Sequence, residues 1–366
     1  MSMTDRYEKL RTVSRSLSLD AIALVPGANF QRLFNINFHQ NERPLMVVVP
    51  SIGAPAAVVP NLELGSFSAI NFEGKVFDWQ DQHGFQSAFD SLFEHVNVER
   101  IGVEGQAMRV FVHHAMKAAN NSLDIIDAQR EIAALRLRKN KVEIAALRKA
   151  IAVSETALKS TIDQVRVGMS EKQIESALVQ NLFAAGADDM SFEPIVAAAD
   201  NSAKPHANAR SDYQIKTGDA LLIDFGARVD GLCADITRTF FIQKCSDVQR
   251  SVYETVLAAN MAGCEVVAPS VSAHSIDDVA SKVLENSVYG HWIRHKTGHG
   301  LGRDIHEDPY IMRGNDELLE PGMVFTIEPG LYHSNDFGVR IEDDILVTDT
   351  GCDMLTQFDK SLTIIG

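Results

Sequence analysis

The sequence contains no long hydrophobic run, and this excludes a membrane-spanning helix of ordinary length. Its longest apolar stretches, such as residues 45–49 and 220–223, are far shorter than the ~20 residues needed to cross a bilayer. The first residues carry charge but lack the apolar core and the small-residue cleavage site of a secretory signal. We therefore expect a cytoplasmic protein without a membrane segment.

Cysteine and basic residues are also scarce. The four cysteines include no CxxC pair, so we expect them to be reduced and structural, with a single bridge as the alternative. The formal net charge of -15 repels phosphate backbones, which argues against a nucleic-acid partner. The one basic cluster, at residues 136–141, lies in a helical pattern, and we expect it to form a solvated face.

Length and periodicity predict two domains. A chain of 366 residues is too long for one typical domain. Between residues 17 and 103, short β-rich runs alternate with helical segments, which indicates a smaller α/β domain. Residues 127–167 show helical spacing and suggest one or two long helices. We place the boundary near residue 130, giving domains 1–130 and 131–366.

The second domain begins with a helix and continues mainly with strands. Ser170 and Gln173 fit a capping box that opens a helix through Phe183, and Gly186 follows as its end. From Ser191 onward the periodicity is that of strands, interrupted by a helical stretch over residues 247–284. This pattern predicts a curved antiparallel sheet with helices packed on one face, an α+β arrangement.

Two acids in this region predict a charged pair on one hairpin. Asp224 and Asp235 flank the turn dipeptide Asp230-Gly231. If the hairpin turns between residues 229 and 230, the two carboxylates stand directly opposite each other, with Cβ atoms about 5 Å apart. In an otherwise apolar strand pair they would repel strongly unless a cation lay between them. A metal ion is the simplest remedy.

The same geometry is expected later in the chain. Glu328 and Glu342 flank a turn-like stretch centred on residue 335, so a second carboxylate pair faces itself across a second hairpin. Between the hairpins, the glycine-rich segment HKTGHGLGRDIHEDPY supplies His295, His299 and His306. Four carboxylates and one histidine suit two divalent ions about 3.5–4 Å apart. The alternative is that these are solvated surface acids and ordinary core or loop histidines.

Residues 192–348 resemble the pita-bread metallopeptidases, the family of prolidase, aminopeptidase P and methionine aminopeptidase. The resemblance rests on five ordered motifs: IVAAADNSAKPHANAR, IDFGARVDGLCADITRTF, TGHGLGRDIHEDPY, FTIEPGLY and GVRIEDDILVT. The N-terminal domain is similar to that of the creatinase, prolidase and aminopeptidase P branch, although FNINFHQNERPL departs from the Tyr-Leu-Thr-Gly-Phe segment common there. The implied architecture is an α+β pita-bread catalytic domain with a smaller α/β N-terminal domain.

The resemblance implies a cofactor and its ligands. It predicts two divalent ions, manganese first with cobalt or zinc as alternatives, and the ligands would be Asp224, Asp235, His299, Glu328 and Glu342. Asp235 and Glu342 are expected to bridge both ions. Arg340, on the same strand face as Glu342, is expected either to hold ligand carboxylates or to form a structural ion pair.

The resemblance also implies catalytic and substrate-binding residues. Glu328 would take a proton from the attacking water and pass it to the leaving amine. His206 and His306 would donate hydrogen bonds near the scissile bond. His295 and Tyr332 are expected in the substrate pocket, with a packed aromatic as the alternative for Tyr332.

The branch resemblance points to cleavage before proline, in dipeptides or short peptides, by a homodimer. Tyr310, also assigned to the pocket, stands four residues after His306, where some prolidases carry an arginine that recognises a free carboxylate. Other functions remain as alternatives: a dimetal amidohydrolase acting on a small non-peptide amide, a metal-free creatinase-like enzyme, or a non-enzymatic binding protein. The complete set of five ligands argues against the last two.

Overall fold

The computed structural model describes residues 3–366, with side chains from Arg6 onward. The chain separates into two compact units, Met1–Arg136 and Leu137–Gly366. This division falls a few residues after the position expected from the sequence. Among the described helices, none is both long and apolar enough to span a membrane.

The N-terminal unit is built on a six-stranded mixed sheet in the order β4-β3-β2-β1-β5-β6. Its elements are α1 (Met3–Ser16), β1 (Ala21–Leu24), α2 (Ala28–Phe34), β2 (Met46–Pro50), β3 (Ala56–Pro60), α3 (Leu64–Ser68), β4 (Lys75–Trp79), α4 (Gln86–Val96), β5 (Arg100–Val103), α5 (Val110–Ala119), β6 (Asp124–Asp127) and α6 (Gln129–Ala133). Short 3₁₀ turns cover Asn61–Glu63 and Ala134–Arg136. Strands β1, β2, β3 and β5 correspond to the β-rich runs expected between residues 17 and 103, whereas β4 and β6 were not expected from the sequence. Both lie at the sheet edges, and their exposed residues break the apolar run that marks a central strand.

The C-terminal unit combines four long helices with mainly antiparallel sheets. Its helices are α7 (Lys141–Ile162), α8 (Glu171–Ala185), α9 (Asp247–Glu265) and α10 (Ala273–Glu285). Its strands are β7 (Asp189–Met190), β8 (Ile195–Ala198), β9 (Ala220–Phe225), β10 (Ala227–Val229), β11 (Leu232–Cys233), β12 (Ile236–Ile242), β13 (Gly298–Gly300), β14 (Glu307–Ile311), β15 (Val324–Ile327), β16 (Gly330–His333), β17 (Phe337–Arg340), β18 (Asp343–Val347), β19 (Cys352–Met354) and β20 (Ile364–Ile365). Further 3₁₀ turns cover Ala199–Ala203 and Gly290–Trp292.

Two sheets dominate this unit and carry the site. One has the order β20-β12-β9-β8, and the other has the order β14-β13-β15-β18-β19. Strands β12 and β20 are parallel, and the remaining pairs in these two sheets are antiparallel. The apolar faces of α7 and α8 pack on the first sheet through residues such as Leu147, Leu178 and Ile223. Helix α10 packs against the second through Ile276 and Phe325.

Helix α8 shows how local sequence sets an element's ends. Ser170 accepts a hydrogen bond from the backbone N–H of Gln173, and the Gln173 side chain accepts one from the Ser170 backbone, as the predicted capping box requires. Gly186 follows in the left-handed conformation, with φ 104°.

The expected helix over residues 247–284 is instead two helices, because residues 266–272 leave the helical path between α9 and α10.

The expectation of a solvated basic face at residues 136–141 is wrong for two of its four cations: Arg138 and Lys141 are exposed, whereas Arg136 and Lys139 are buried. Arg136 is buried and lies 3.7 Å from a Glu104 carboxylate oxygen. Lys139 is also buried, with its Nζ 2.5 Å from Glu307 Oε1. The segment leaves the helical path before α7 begins, so Arg136 and Lys139 pair with buried acids rather than lining one side of a helix.

All four cysteines are free thiols, as expected.

Candidate metal and catalytic site

The first acidic hairpin has a different register from the one expected. Thr237, not Asp235, pairs with Asp224 across β9 and β12. The reason is the turn: Asp230 and Gly231 both have positive φ, 51° and 76°, and form the two central residues of a tight hairpin turn. The turn is therefore centred one residue later than predicted. Asp235 lies two residues from the partner of Asp224, so the two acids are diagonal neighbours on one face rather than directly opposed.

The second acidic hairpin has the predicted register. Ile327 pairs with Asp343, and the following β16–β17 pairs continue in the same register through the turn. Glu328 therefore lies opposite Glu342. Thr237 Oγ1 donates a 2.6 Å hydrogen bond to Glu342 Oε2, which ties the two acidic hairpins together.

Glycines bring His299 to the carboxylates. A Cβ at Gly298 would lie 1.9 Å from the Thr326 carbonyl oxygen, and one at Gly300 would lie 2.2 Å from the Asp308 carbonyl oxygen. Only glycine fits at both positions, so β13 can run tightly between β14 and β15 with His299 at its centre.

Asp277 on α10 secures the same segment and was missed by the sequence analysis. Its Oδ1 accepts a 3.0 Å hydrogen bond from the Thr297 backbone N–H and a second one from the Thr297 hydroxyl. Its Oδ2 accepts a 2.8 Å bond from the Arg313 backbone N–H. Asp277 is followed directly by Asp278, which pairs with Lys282, and nothing in the sequence distinguishes the acid that is buried against a distant loop.

Hydrogen bonding fixes the tautomer of His299. Its Nδ1 lies 3.1 Å from the Gly300 carbonyl oxygen, which only accepts, so Nδ1 carries the proton. Burial, with a smaller contribution from His306, lowers the pKa of His299 to about 3, so the ring is neutral. Its Nε2 lone pair then faces Asp235 Oδ2 at 3.6 Å and Glu328 Oε1 at 3.4 Å. A cation between these atoms would turn their repulsion into coordination.

The carboxylates show the same electrostatic conflict. Burial is the main cause that raises the pKa values of Asp235 and Glu342 well above their ordinary range, and the neighbouring carboxylates raise them further. Burial likewise raises the pKa of Glu328 to about 7. Buried Oδ1 atoms of Asp224 and Asp235 have no hydrogen-bond partner. Ligand atoms of Asp235, His299 and Glu342 lie within 4.8 Å of one another, so the donor set fits divalent cations.

Arg340 holds one acid of this cluster. Its Nη2 donates to Asp224 Oδ2, its Nε to Thr237 Oγ1 at 3.0 Å, and its Nη1 to the Tyr332 hydroxyl at 2.7 Å. The Tyr332 hydroxyl also lies 2.7 Å from His295 Nε2. Because Tyr332 is 0% exposed, it supports Arg340 and His295 from behind and does not reach the cavity, contrary to the expected pocket role.

A cavity of about 640 Å³ contains the cluster. Most of its lining residues are charged or are histidines, and only four are apolar. The full lining is Phe192, Ile195, Lys204, Pro205, His206, Asp224, Asp235, Arg294, His295, Lys296, His299, Ile305, His306, Glu328, Arg340 and Glu342. All five expected ligands and all three expected accessory histidines are among them. Tyr310 is not, and it lies instead under the Lys296 ammonium, 5.2 Å from its ring centroid. The cations Lys204, Arg294 and Lys296 also line the cavity, although no motif in the sequence had pointed to them.

Comparisons with known proteins agree with this architecture. Residues 145–349 match the model for metallopeptidase family M24, and residues 6–138 match the creatinase/prolidase N-terminal domain. The chain is 34% identical to an Xaa-Pro dipeptidase of Pyrococcus furiosus over 75% of this chain and 78% of that one. A Thermococcus sibiricus prolidase superposes over 100% of both chains with a TM-score of 0.95 and 33% identity. An Xaa-Pro dipeptidase from Bacillus anthracis does so over 100% of both chains with a TM-score of 0.91 and 28% identity. These matches confirm the predicted pita-bread fold with its creatinase-type N-terminal domain.

Proposed function

The chain belongs to metallopeptidase family M24, and from that membership we propose that it hydrolyses the peptide bond preceding proline in dipeptides or short peptides. The observation that carries the proposal is the buried cluster of four carboxylates around one neutral imidazole. Such a cluster is unstable without cations and suits the two divalent ions on which this family's chemistry depends. The similar proteins named as Xaa-Pro dipeptidases support the choice of bond.

Five side chains would hold the ions: Asp224, Asp235, His299, Glu328 and Glu342. The unpartnered buried oxygens of Asp224 and Asp235 and the lone pair of His299 support this assignment. When bound, the ions supply Lewis acidity for the scissile carbonyl and lower the pKa of the attacking water. We propose manganese as the metal, with cobalt or zinc as alternatives. The homodimer and the cytoplasmic location also remain predictions from the sequence.

Glu328 is suited to carry the proton. Its side chain is 15% exposed, at the edge of the cluster, and burial raises its pKa to about 7. With the cations bound, the carboxylate at this edge can accept a proton from the attacking water and return it to the leaving nitrogen. Thr326 Oγ1, 3.4 Å from Glu328 Oε1, helps to orient it.

The histidines and apolar residues of the cavity receive the substrate. His306 and His206 line the cavity at exposed positions and can donate hydrogen bonds to the oxygen that gains charge, an effect of about 3 kcal/mol per donor. Phe192, Ile195 and Ile305 provide apolar surface for a pyrrolidine ring. The proline nitrogen lacks an N–H, so the site needs no acceptor for it.

A peptide panel tests this function. We expect the manganese-loaded protein to cleave Ala-Pro, Ala-Pro-Ala or both, and to cleave Ala-Ala much more slowly. Release of free alanine can be followed by chromatography. Cleavage of a small non-peptide amide without cleavage of any Xaa-Pro peptide would replace the proposal by the amidohydrolase alternative. Absence of divalent ions from the purified, metal-equilibrated protein would favour a binding protein.

Metal uptake should release protons. The metal-free site holds protons because the pKa values of Asp235 and Glu342 are well above their ordinary range and that of Glu328 is about 7. Cations require the ionised carboxylates, so binding displaces these protons and the metal affinity should fall as the pH drops below about 7. Calorimetric titration with manganese in two buffers of different ionisation enthalpy measures the release. Identical heats in both buffers at about pH 6.5 would contradict the assigned ligand set.

A further inference from the structure

We propose that Lys296 binds the free C-terminal carboxylate of the substrate, which would make dipeptides better substrates than longer peptides. The inference rests on the proposed cleavage before proline and adds the feature by which the site would select peptide length. Lys296 lies on the segment between His295 and Thr297 and lines the cavity.

The charges of the cavity are segregated. Every acid that lines it belongs to the proposed ligand set. Four cations also line it: Arg340 pairs with Asp224, whereas Lys204, Arg294 and Lys296 form no ion pair with the acids of that set. Two divalent ions would neutralise the four carboxylates. With the ions in place, the remaining part of the cavity carries positive charge and favours an anionic group on the substrate.

Lys296 is the cation of the three that is available for this task. Lys204 Nζ donates to Asn201 Oδ1 at 3.2 Å. Arg294 Nη1 donates to the carbonyl oxygens of His291 and Ile293 at 2.8 and 3.0 Å.

Among the described residues, the Lys296 ammonium has no such hydrogen-bond acceptor. Within residues 6–366, its Nζ forms no ion pair and no hydrogen bond, and it lies over the Tyr310 ring, 5.2 Å from the ring centroid. Lys296 is half-buried, so its ammonium is partly desolvated without a counter-ion. A substrate carboxylate would supply that counter-ion, and the ring beneath the lysine limits the positions that the ammonium can take.

The position of Lys296 matches the length of a dipeptide. Lys296 lines the same cavity as Glu328 and His306, the groups assigned to the scissile bond. In Xaa-Pro the carboxylate is one residue from that bond, at most about 3.8 Å along the chain. In a longer peptide a neutral amide occupies the same place and cannot form the ion pair.

Steady-state rates on Ala-Pro and Ala-Pro-amide test the inference, because the two compounds differ in the carboxylate alone. For the wild-type protein we expect a preference for Ala-Pro in kcat/KM. Lys296→Met should lower kcat/KM for Ala-Pro about 10- to 100-fold, the range for a hydrogen bond to a charged group, mainly through KM. The rate on Ala-Pro-amide should change little. Lys296→Arg should retain most of the preference.

The controls separate this role from others. Lys282→Met removes the same charge from an exposed residue that pairs with Asp278, and should leave the ratio of the two rates unchanged. If Lys296 only screened the acidic cluster, Lys296→Met would lower both rates by the same factor, and the inference would be wrong. If the wild-type protein cleaves neither compound, the proposed function itself fails. Equal rates on both compounds in the wild-type protein would overturn only the role of Lys296.

Discussion

Replacing Glu328 by glutamine should lower kcat for Ala-Pro by about 10²- to 10⁴-fold, the usual contribution of general acid–base catalysis. Glutamine keeps the size of the side chain and one oxygen at the edge of the cluster. It cannot accept the proton of the attacking water, and it cannot return one to the leaving nitrogen. The fold should persist, because the variant removes one of several mutually repelling carboxylates.

The measurement is kcat at saturating substrate together with the metal content of the purified variant. Glu320→Gln is the matched control: its carboxylate is 55% exposed and pairs with Arg138 at 3.1 Å, so its loss should leave kcat within twofold, since exposed pairs contribute about 0–1 kcal/mol. A Glu328→Gln variant that retains metal and full turnover would rule out the proton-carrying role.

Replacing Asp235 by asparagine should stabilise the metal-free protein and weaken its response to metal. Burial and the charges of Glu342 and Asp224 raise the Asp235 pKa in the fold. The folded state therefore binds more protons than the unfolded chain, and this acid costs stability as the pH rises above its ordinary value, 3.8. Asparagine has no ionisable carboxyl group, so the variant lacks this destabilisation. The Tm should rise by roughly 2–4 °C for each kcal/mol of relief at neutral pH and change little near pH 4.

With manganese bound, the wild-type protein should be more stable than the Asp235→Asn variant, the reverse of the order expected without metal. The wild-type protein should gain stability on metal addition by mass action, whereas the variant, lacking a charged ligand that faces His299, should gain much less and lose most activity. Thermal unfolding of both proteins with and without manganese measures this. Asp353→Asn, which removes an exposed partner of Arg148, serves as the control. Equal stabilisation of both proteins by the metal would exclude Asp235 from the ligand set.

Local features of the fold could be read from the sequence where short-range physics decides the structure. The Ser170 and Gln173 capping box and the αL residue Gly186 set the limits of α8 through contacts within a few residues. The central strands β1, β2 and β3 are continuous buried runs and were recognised as such. Edge strands β4 and β6 were not, because their residues are largely exposed and lack that pattern.

The acidic pairs show the limit of pattern reasoning within the site. The turn centred on Asn335 was placed correctly, and Glu328 then follows opposite Glu342. At the first hairpin the turn dipeptide was recognised but its centre was misplaced by one residue, which moved Asp235 from the diagonal to the direct partner of Asp224. A turn centre misplaced by one residue changes the cross-strand partner by two residues, and because side chains alternate along a strand, both acids still lie on one face.

The sequence by itself determined the chemistry of this protein: the order of its motifs, the acids and histidine available as ligands, and the periodicity of the elements that present them. These follow from residue types and near neighbours. Tertiary structure alone decided that Tyr332 supports the wall of the cavity instead of lining it, that Asp277 secures Thr297, and that Lys296 faces the site without a counter-ion. Each of these depends on packing between segments that are distant in the chain. Such contacts leave no repeating pattern in a single sequence, so they could not be predicted from it.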